Sequence, residues 1–359
     1  RPGTNVAVLN MMLYYIIQEN LMDQDFIAQR TEGFDAFCEG ILSLNIDELE
    51  AVSGVPREQA RAAAITYATA KLAMSFHGLG VTEHYQGTYA VMLIADLAMI
   101  TGNVGKPGCG VNPLRGQNNV QGMADMGTQP YQGAGYLDVT DPEVRTKYEE
   151  FYGAAMSDKI GYTIPEMYDA ALSGQLKALW VMGEDMAQSD PNTHHVVKAL
   201  SSLELLVVQE IFMTETAKLA HVVLPGASFL EKEGTFTNGE RRIQRVQRVV
   251  EPVGDCKPDG QILVEMMNRL GYPQRPYTAK GMLEEISQIV PFFAGVRWEE
   301  LGDNGKQWPV APDGTDTKIL HQESFKRGKG RFVFREFVET KEILDYAQDF
   351  PYILTTNRV

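Results

Sequence analysis

The stretch Ala178-Leu-Trp-Val-Met-Gly-Glu-Asp185, followed by Leu205-Leu-Val-Val-Gln-Glu210 and His221-Val-Val-Leu-Pro-Gly226, decides the fold. Three short apolar runs, Ala178 to Met182, Leu205 to Val208 and His221 to Leu224, each stop at a polar or glycine turn: Gly183-Glu-Asp185, Gln209-Glu210 and Pro225-Gly226. Helical patterns separate them, from about Pro191 to Leu200 and from Thr214 to Leu219. Runs of this length, bounded by turn residues and alternating with helices, predict parallel strands with crossover helices, an α/β fold. In open parallel sheets the carboxyl ends of the strands are where nucleotide-like ligands bind.

Working outward, the same alternation governs the N-terminal part. Val8, Met12, Tyr15, Ile16 and Leu21 have helical spacing, with a turn near Asn20 and a second short helix reaching Ala28. Ser53-Gly-Val-Pro56 starts a helix over Arg57 to Ala70, with a strand over Lys71 to Phe76 and an apolar helix from Thr88 to Ile100. Residues 122 to 165, rich in Gly, Tyr, Asp and Pro, read as a long irregular connection of the kind that bridges domains or lines a site. Gly234 to Val250 has hairpin character, and Asp259 stands where an N-cap would be, with Gly260 opening a helix to Leu270. Arg331 to Phe337 alternates like a strand, and Tyr352 to Val359 reads as a buried one.

Composition narrows the function. With 359 residues, 44% of them hydrophobic, the chain can bury the cores of two or more domains. A net charge of −15 opposes nucleic acid and anionic membrane surfaces as partners. The one basic cluster, Arg241, Arg242, Arg245 and Arg248, reads as a solvated or salt-bridged ribbon. No apolar run is long enough to span a bilayer. Cys38, Cys109 and Cys256 are far apart and odd in number, which favours a reducing compartment over a disulfide scaffold. Neither the cysteines nor the six histidines form a metal-binding pattern, so no metal ligand is assigned. The chain lacks a starting Met and its last residues read as a strand that stops without a loop or tail, so it is read as an internal fragment.

One cation stands apart. Arg115 is the only charged residue between Lys106 and Asp125, among Asn112, Gln117, Asn118 and Asn119. Its planar fork suits a carboxylate or phosphate, and equally the capping of helix carbonyls or a bridge to a distant acid. His84, in the turn after Gly80, reads as a packed or surface histidine. The turns at Gly183 to Asp185 and Gln209-Glu210 fit contacts to a nucleotide or ordinary helix-capping loops. Asp259 fits the donor edge of a guanine or, by default, a helix cap.

Taken in order, the motifs resemble the catalytic subunits of molybdenum- or tungsten-dependent formate dehydrogenases, within the bis-molybdopterin guanine dinucleotide (dimethyl sulfoxide reductase) family. The segments that carry the resemblance are Pro2-Gly-Thr-Asn5, Phe26-Ile-Ala-Gln-Arg-Thr-Glu-Gly-Phe34, Gly78-Leu-Gly-Val-Thr-Glu-His84, Thr101-Gly-Asn-Val-Gly-Lys106, Gly110-Val-Asn-Pro-Leu-Arg-Gly-Gln-Asn-Asn-Val-Gln-Gly122, Met182-Gly-Glu-Asp185, Val208-Gln-Glu-Ile-Phe-Met-Thr-Glu-Thr-Ala217, Ala220-His-Val-Val-Leu-Pro225 and Glu233-Gly-Thr-Phe-Thr-Asn238. The run around Arg115 is the one specific to formate dehydrogenases; the Gly-Glu-Asp and Leu-Pro turns are shared more widely.

The resemblance implies Rossmann-like α/β domains: residues 1–120 part of one, ending in the substrate-arginine loop; 121–230 the dinucleotide-binding domain; 231–340 a return segment through the cluster-bearing region and a linker; 341–359 the start of a C-terminal pterin-binding domain. It implies that Arg115 orients formate, that Gln117 lies on the cofactor side, that Gly80, Thr82 and Glu83 contact a pterin, and that Gly183, Glu184, Gln209 and Asp259 hold one guanine dinucleotide. The implied cofactors are bis-molybdopterin guanine dinucleotide with molybdenum or tungsten, and a [4Fe-4S] cluster whose cysteines lie upstream of Arg1, as does the metal's cysteine or selenocysteine ligand. A further pterin-binding segment is expected beyond Arg358. The fragment alone is therefore expected to be inactive. The implied partners are formate and electron-transfer subunits, iron-sulfur or flavin/NAD-linked, in a cytoplasmic enzyme. Two departures stand out: Glu83, where some relatives have glutamine, and Gly260, where some have tryptophan. The competing readings are a nitrate reductase-like enzyme with the same cofactor and a non-catalytic module of the same fold. A nicotinamide-binding domain is disfavoured, because no Gly-x-Gly-x-x-Gly follows a strand.

Overall fold

A computed structural model describes residues 1–354, the Glu342 side chain excepted. The chain divides into two compact units, Arg1–Gly116 with the described part of Lys318–Val359, and Gln117–Thr317.

The first unit is built round the helix Asn5–Gln18, which buries Val6, Ala7, Met11, Leu13 and Ile16 almost completely. A helix buried on most sides needs helical neighbours, and it packs against Phe34–Leu42, Ile46–Ser53, Arg57–Thr69 and Gly87–Ile100. The second short helix is Gln24–Arg30, and Asn20 takes a left-handed backbone in the turn before it. The strand Met74–His77 pairs in parallel with Gly110–Pro113, joined through the Gly87–Ile100 helix, so the expected crossover is present. The strand starts at Met74, three residues after the expected Lys71, and takes in His77.

The strand expected over Arg331 to Phe337 is not formed. Only Gly330–Arg331 pairs, in parallel, with Thr31–Glu32. Phe332, Phe334 and Phe337 follow burial against helices, and the backbone is satisfied by side chains on those helices or at their start in place of a neighbouring strand. Asn10 donates to the Arg335 carbonyl at 2.9 Å. Gln86 donates to the Glu336 carbonyl and accepts from the Val338 amide, both at 2.9 Å. Asp96, 2% exposed, accepts from the Val333 amide. Tyr352, Ile353 and Leu354 carry no strand and are exposed; the rest of the strand expected there, residues 355–359, lies outside the described residues.

Asp96 makes the stability of this unit depend on pH. Burial pushes its carboxyl up to about 8 from an ordinary 3.8, against the opposing pull of the Val333 amide and Arg335. Between those values the folded chain keeps a proton that the unfolded chain loses. The stability this proton provides is fully present below pH 3.8 and is lost as pH rises to about 8. The slope is about 1.4 kcal/mol per pH unit. Asp96→Asn, which stays neutral, should flatten the fall in melting temperature between pH 5 and 8; parallel curves for the two proteins would refute this assignment.

In the second unit, Ala178–Met182, Leu205–Glu210 and Val222–Pro225 form a parallel sheet in that order. Val181, Leu206 and Val208 pack with Val196, Ala199 and Leu200 of the helix Thr193–Ser201 and Ala217 of Glu215–Leu219. Thr214 caps the latter, accepting from the Ala217 amide at 3.1 Å. Gln209 and Glu210 extend the central strand, where a turn was expected.

The rest of this unit corrects the reading of residues 122–165 as irregular. They contain most of the helix Val120–Asp125, an antiparallel pair Gln132–Gly133 with Leu137–Asp138, and the helix Pro142–Tyr152. Asp141 caps that last helix and Pro142 opens it. Tyr148 joins a core with Ile243, Leu283, Phe293 and Trp298. Gly234–Thr237 and Arg242–Val246 form the expected hairpin, extended by Lys306–Gln307. The arginines of this hairpin are bound within the unit. Arg241 lies over the Trp308 ring and Arg245 over Trp298, while Arg242 pairs with Glu240 and Arg248 with Glu251. No helix among the described residues is long and apolar enough to cross a membrane.

Candidate functional site

The carboxyl ends of the three parallel strands in the second unit gather one set of candidates. The Gly183 amide donates to the Gln209 carbonyl at 2.9 Å, fixing the first turn to the central strand. Asp185 locks the same turn to the next connection by accepting from the Thr216 amide and hydroxyl at 2.9 and 2.7 Å. The third strand closes on the segment before Asp259: Gly226 donates to the Glu210 carbonyl at 3.1 Å, and Ala227 to the Lys257 carbonyl at 2.8 Å. A Cβ on Gly226 would stand 3.2 Å from an Asp259 carboxylate oxygen, so glycine permits the approach.

Asp259 does not cap the helix it was expected to cap. Pro258 is the cap residue, and the helix Asp259–Arg269 begins at the aspartate itself. Its carboxylate turns to the sheet instead. Gln209 Nε2 donates to Oδ1 at 2.7 Å, and Lys232 forms an ion pair with Oδ2. Gln209 is 1% exposed, and its Oε1 has no partner. A buried amide oxygen without a donor costs on the order of 1–3 kcal/mol, which makes it a candidate ligand contact. At Gly260 a Cβ would meet the Tyr277 ring at 2.3 Å, so that ring fills the space a larger side chain would take. Glu184 is exposed and accepts from the Ser189 hydroxyl at 2.6 Å.

The first unit gathers the other set, at the ends of its parallel strand pair. Arg115 follows the strand Gly110–Pro113 and is exposed; the Leu114 amide donates to the His77 carbonyl at 2.7 Å, tying the two strand ends together. Gly80 and Thr82 lie in a single helical turn, Leu79–Thr82, directly after His77-Gly78, and Glu83 ends it. His77 is buried, and its Nδ1 has no partner. Burial, and then the charge of Arg115, hold its pKa below the ordinary 6.5, so it is neutral at neutral pH. A cavity of about 240 Å³ opens nearby, lined by Val8, Leu9, Val55, Val81 and Ile94 among others; none of the candidate residues lines it.

The candidates thus fall into two groups. Arg115, Gly80, Thr82 and Glu83 belong to the first unit; Gln117, exposed at the start of the second, precedes the helix Val120–Asp125, and Gly183, Glu184, Gln209 and Asp259 follow in the same unit. Direct bonds join Gly183 to Gln209 and Gln209 to Asp259. His77, Lys232 and Tyr277 were not singled out from the sequence. His77 had a usable signal, its place at a strand end; Lys232 and Tyr277 had none.

The molybdopterin oxidoreductase family model matches residues 1–269. Across 100% of its length the chain is 43% identical to the F420-dependent formate dehydrogenase subunit alpha of Methanocaldococcus jannaschii, of which it covers 53%. It is 41% identical, again over its full length, to formate dehydrogenase H of Escherichia coli, of which it covers 51%. The chain therefore spans about half the length of these relatives. Acetylene hydratase from Pelobacter acetylenicus superposes with a TM-score of 0.65 at 21% identity, over 98% of this chain and 52% of that one, a likeness of fold.

Proposed function

The chain belongs to the molybdopterin oxidoreductase family, and from that premise we propose that it is part of the catalytic α subunit of a formate dehydrogenase, which oxidises formate to CO2 at a bis-molybdopterin guanine dinucleotide centre holding molybdenum or tungsten. The observation that carries this reading is Arg115, the only charged residue in the amide-rich sequence between Lys106 and Asp125, exposed at the end of a parallel strand in a chain 41–43% identical to formate dehydrogenases.

The donor set fits the group. Gln209 Oε1 and the Asp259 carboxylate offer acceptors at the sheet end, which suits a guanine edge with its adjacent N–H donors. Gly183 and Glu184 border the same place, and the Gly80 to Glu83 turn would meet a pterin. Glu83 brings acceptors where a glutamine would also bring donors. Gln117 faces the cofactor side. Two-electron redox chemistry is what the metal centre supplies when bound. Arg115 offsets the charge of formate and fixes its orientation through two parallel hydrogen bonds. Residues 121–230 are the dinucleotide-binding part in this reading, and 341–359 begin the last domain. The same reading includes a [4Fe-4S] cluster, which would serve electron transfer and for which the described residues offer no ligand group, and iron-sulfur or flavin/NAD-linked partner subunits in the cytoplasm.

The intact protein tests the proposal. It should reduce a viologen dye with formate, leave nitrate untouched, and release guanine nucleotide and molybdenum or tungsten on denaturation. Nitrate turnover without formate turnover would replace the substrate, and a protein without metal or nucleotide would be a non-catalytic module.

A further inference from the structure

We propose that Lys232 is a positioning residue for base recognition, holding the Asp259 carboxylate in the one orientation that accepts two adjacent donors; this rests on the nucleotide reading above. An ionised carboxylate has about four acceptor positions, two on each oxygen. In this protein each oxygen has one of its positions occupied. Gln209 Nε2 takes one on Oδ1 at 2.7 Å, and the Lys232 ammonium takes one on Oδ2. Gln209 cannot turn away without breaking its bond, because the aspartate demands a donor and so fixes which end of the amide faces it. The carboxylate is clamped from both sides, with one acceptor position left on each oxygen. Beside them stands the partnerless Gln209 Oε1, on a residue 1% exposed.

Such an acceptor pair selects by chemistry. Guanine presents N1–H and the 2-amino group side by side, hypoxanthine presents N1–H alone, and adenine presents an acceptor at N1. Gln209 is held by its strand, whereas Lys232 reaches Asp259 from a segment 27 residues earlier. Without the lysine, Oδ2 loses its fixed partner, the carboxylate turns about its own bond, and the second acceptor no longer meets the 2-amino group.

The experiment compares GDP, IDP and ADP binding to the full-length, cofactor-free protein by calorimetry. Wild type should prefer GDP over IDP by about tenfold, the value of one hydrogen bond to a charged acceptor, and bind ADP more weakly still. Lys232→Met should bring GDP and IDP to within about twofold of each other, with Lys232→Arg restoring the preference and the melting temperature unchanged throughout. Lys232→Gln makes the same comparison if the methionine variant fails to fold. A wild-type GDP/IDP ratio in the folded Met or Gln variant would overturn the proposal and leave the lysine as a surface ion pair. Absence of any GDP preference over ADP in the wild type would overturn the nucleotide reading itself, and the proposal with it.

Discussion

Arg115→Ala in the intact enzyme should lower kcat/KM for formate on the order of a thousandfold, as removal of a preorganised electrostatic partner of a reacting anion does elsewhere. Metal and guanine nucleotide contents should stay at wild-type levels, because the nucleotide candidates Gly183, Gln209 and Asp259 are held by bonds to one another. Arg115 is exposed at the end of its strand, so truncation removes no core packing. Arg115→Lys should recover only part of the loss, since an ammonium replaces the charge without the fork. The check is steady-state kinetics with parallel metal analysis. A variant with unchanged turnover would remove Arg115 from the substrate site.

The second large effect concerns stability. Asp125 is fully buried in the second unit and accepts from Gln121 Nε2, the Tyr136 hydroxyl and Trp308 Nε1, each at 2.8 Å. Arg241, half-buried over the Trp308 ring, adds its charge. Asp125→Ala takes one acceptor away from three donors at once and removes one of the two carboxylates, with Glu240, whose charge acts on Arg241. The expected cost is about 3–5 kcal/mol, since each buried donor left without its acceptor costs on the order of 1–3 kcal/mol. Asp125→Asn should also destabilise: the amide can keep the acceptor facing Gln121 and Tyr136 only by presenting its own donor to the Trp308 N–H. Denaturant unfolding followed by tryptophan fluorescence measures both, since Trp308 is a partner. A cost below about 1 kcal/mol for the alanine variant would mean that the network is not coupled.

What the sequence disclosed follows the range of the interactions involved. The strands at 178–182, 205–210 and 222–225 were legible because a contiguous apolar run ended by Gly, Pro or a polar pair is a local signal. Gly183 and Gln209 were legible for the same reason, as positions at strand ends. Of the two local readings of Asp259, the default one as a cap failed because its partners, Gln209 and Lys232, stand 50 and 27 residues away. The segment after Arg331 was misread as a strand because alternation records which side is buried and says nothing of what satisfies the backbone. Here that is done by Asn10 and Gln86, both about 250 residues or more distant. The helix Pro142–Tyr152 was hidden by its flanks of Gly, Tyr and Asp, although Asp141-Pro142 is an ordinary helix start. Lys232 had no local mark, since its role comes from the fold that brings it to Asp259.

The central claim is that this chain belongs to an enzyme that takes two electrons from formate. The most direct measurement supplies ¹³C-formate to the intact, metal-loaded protein with a one-electron dye as acceptor, and counts labelled CO2 against dye reduced. The account predicts one CO2 for every two dye molecules reduced, with turnover that collapses in Arg115→Ala. Metal-loaded protein that reduces no dye and releases no labelled CO2 from formate would contradict it.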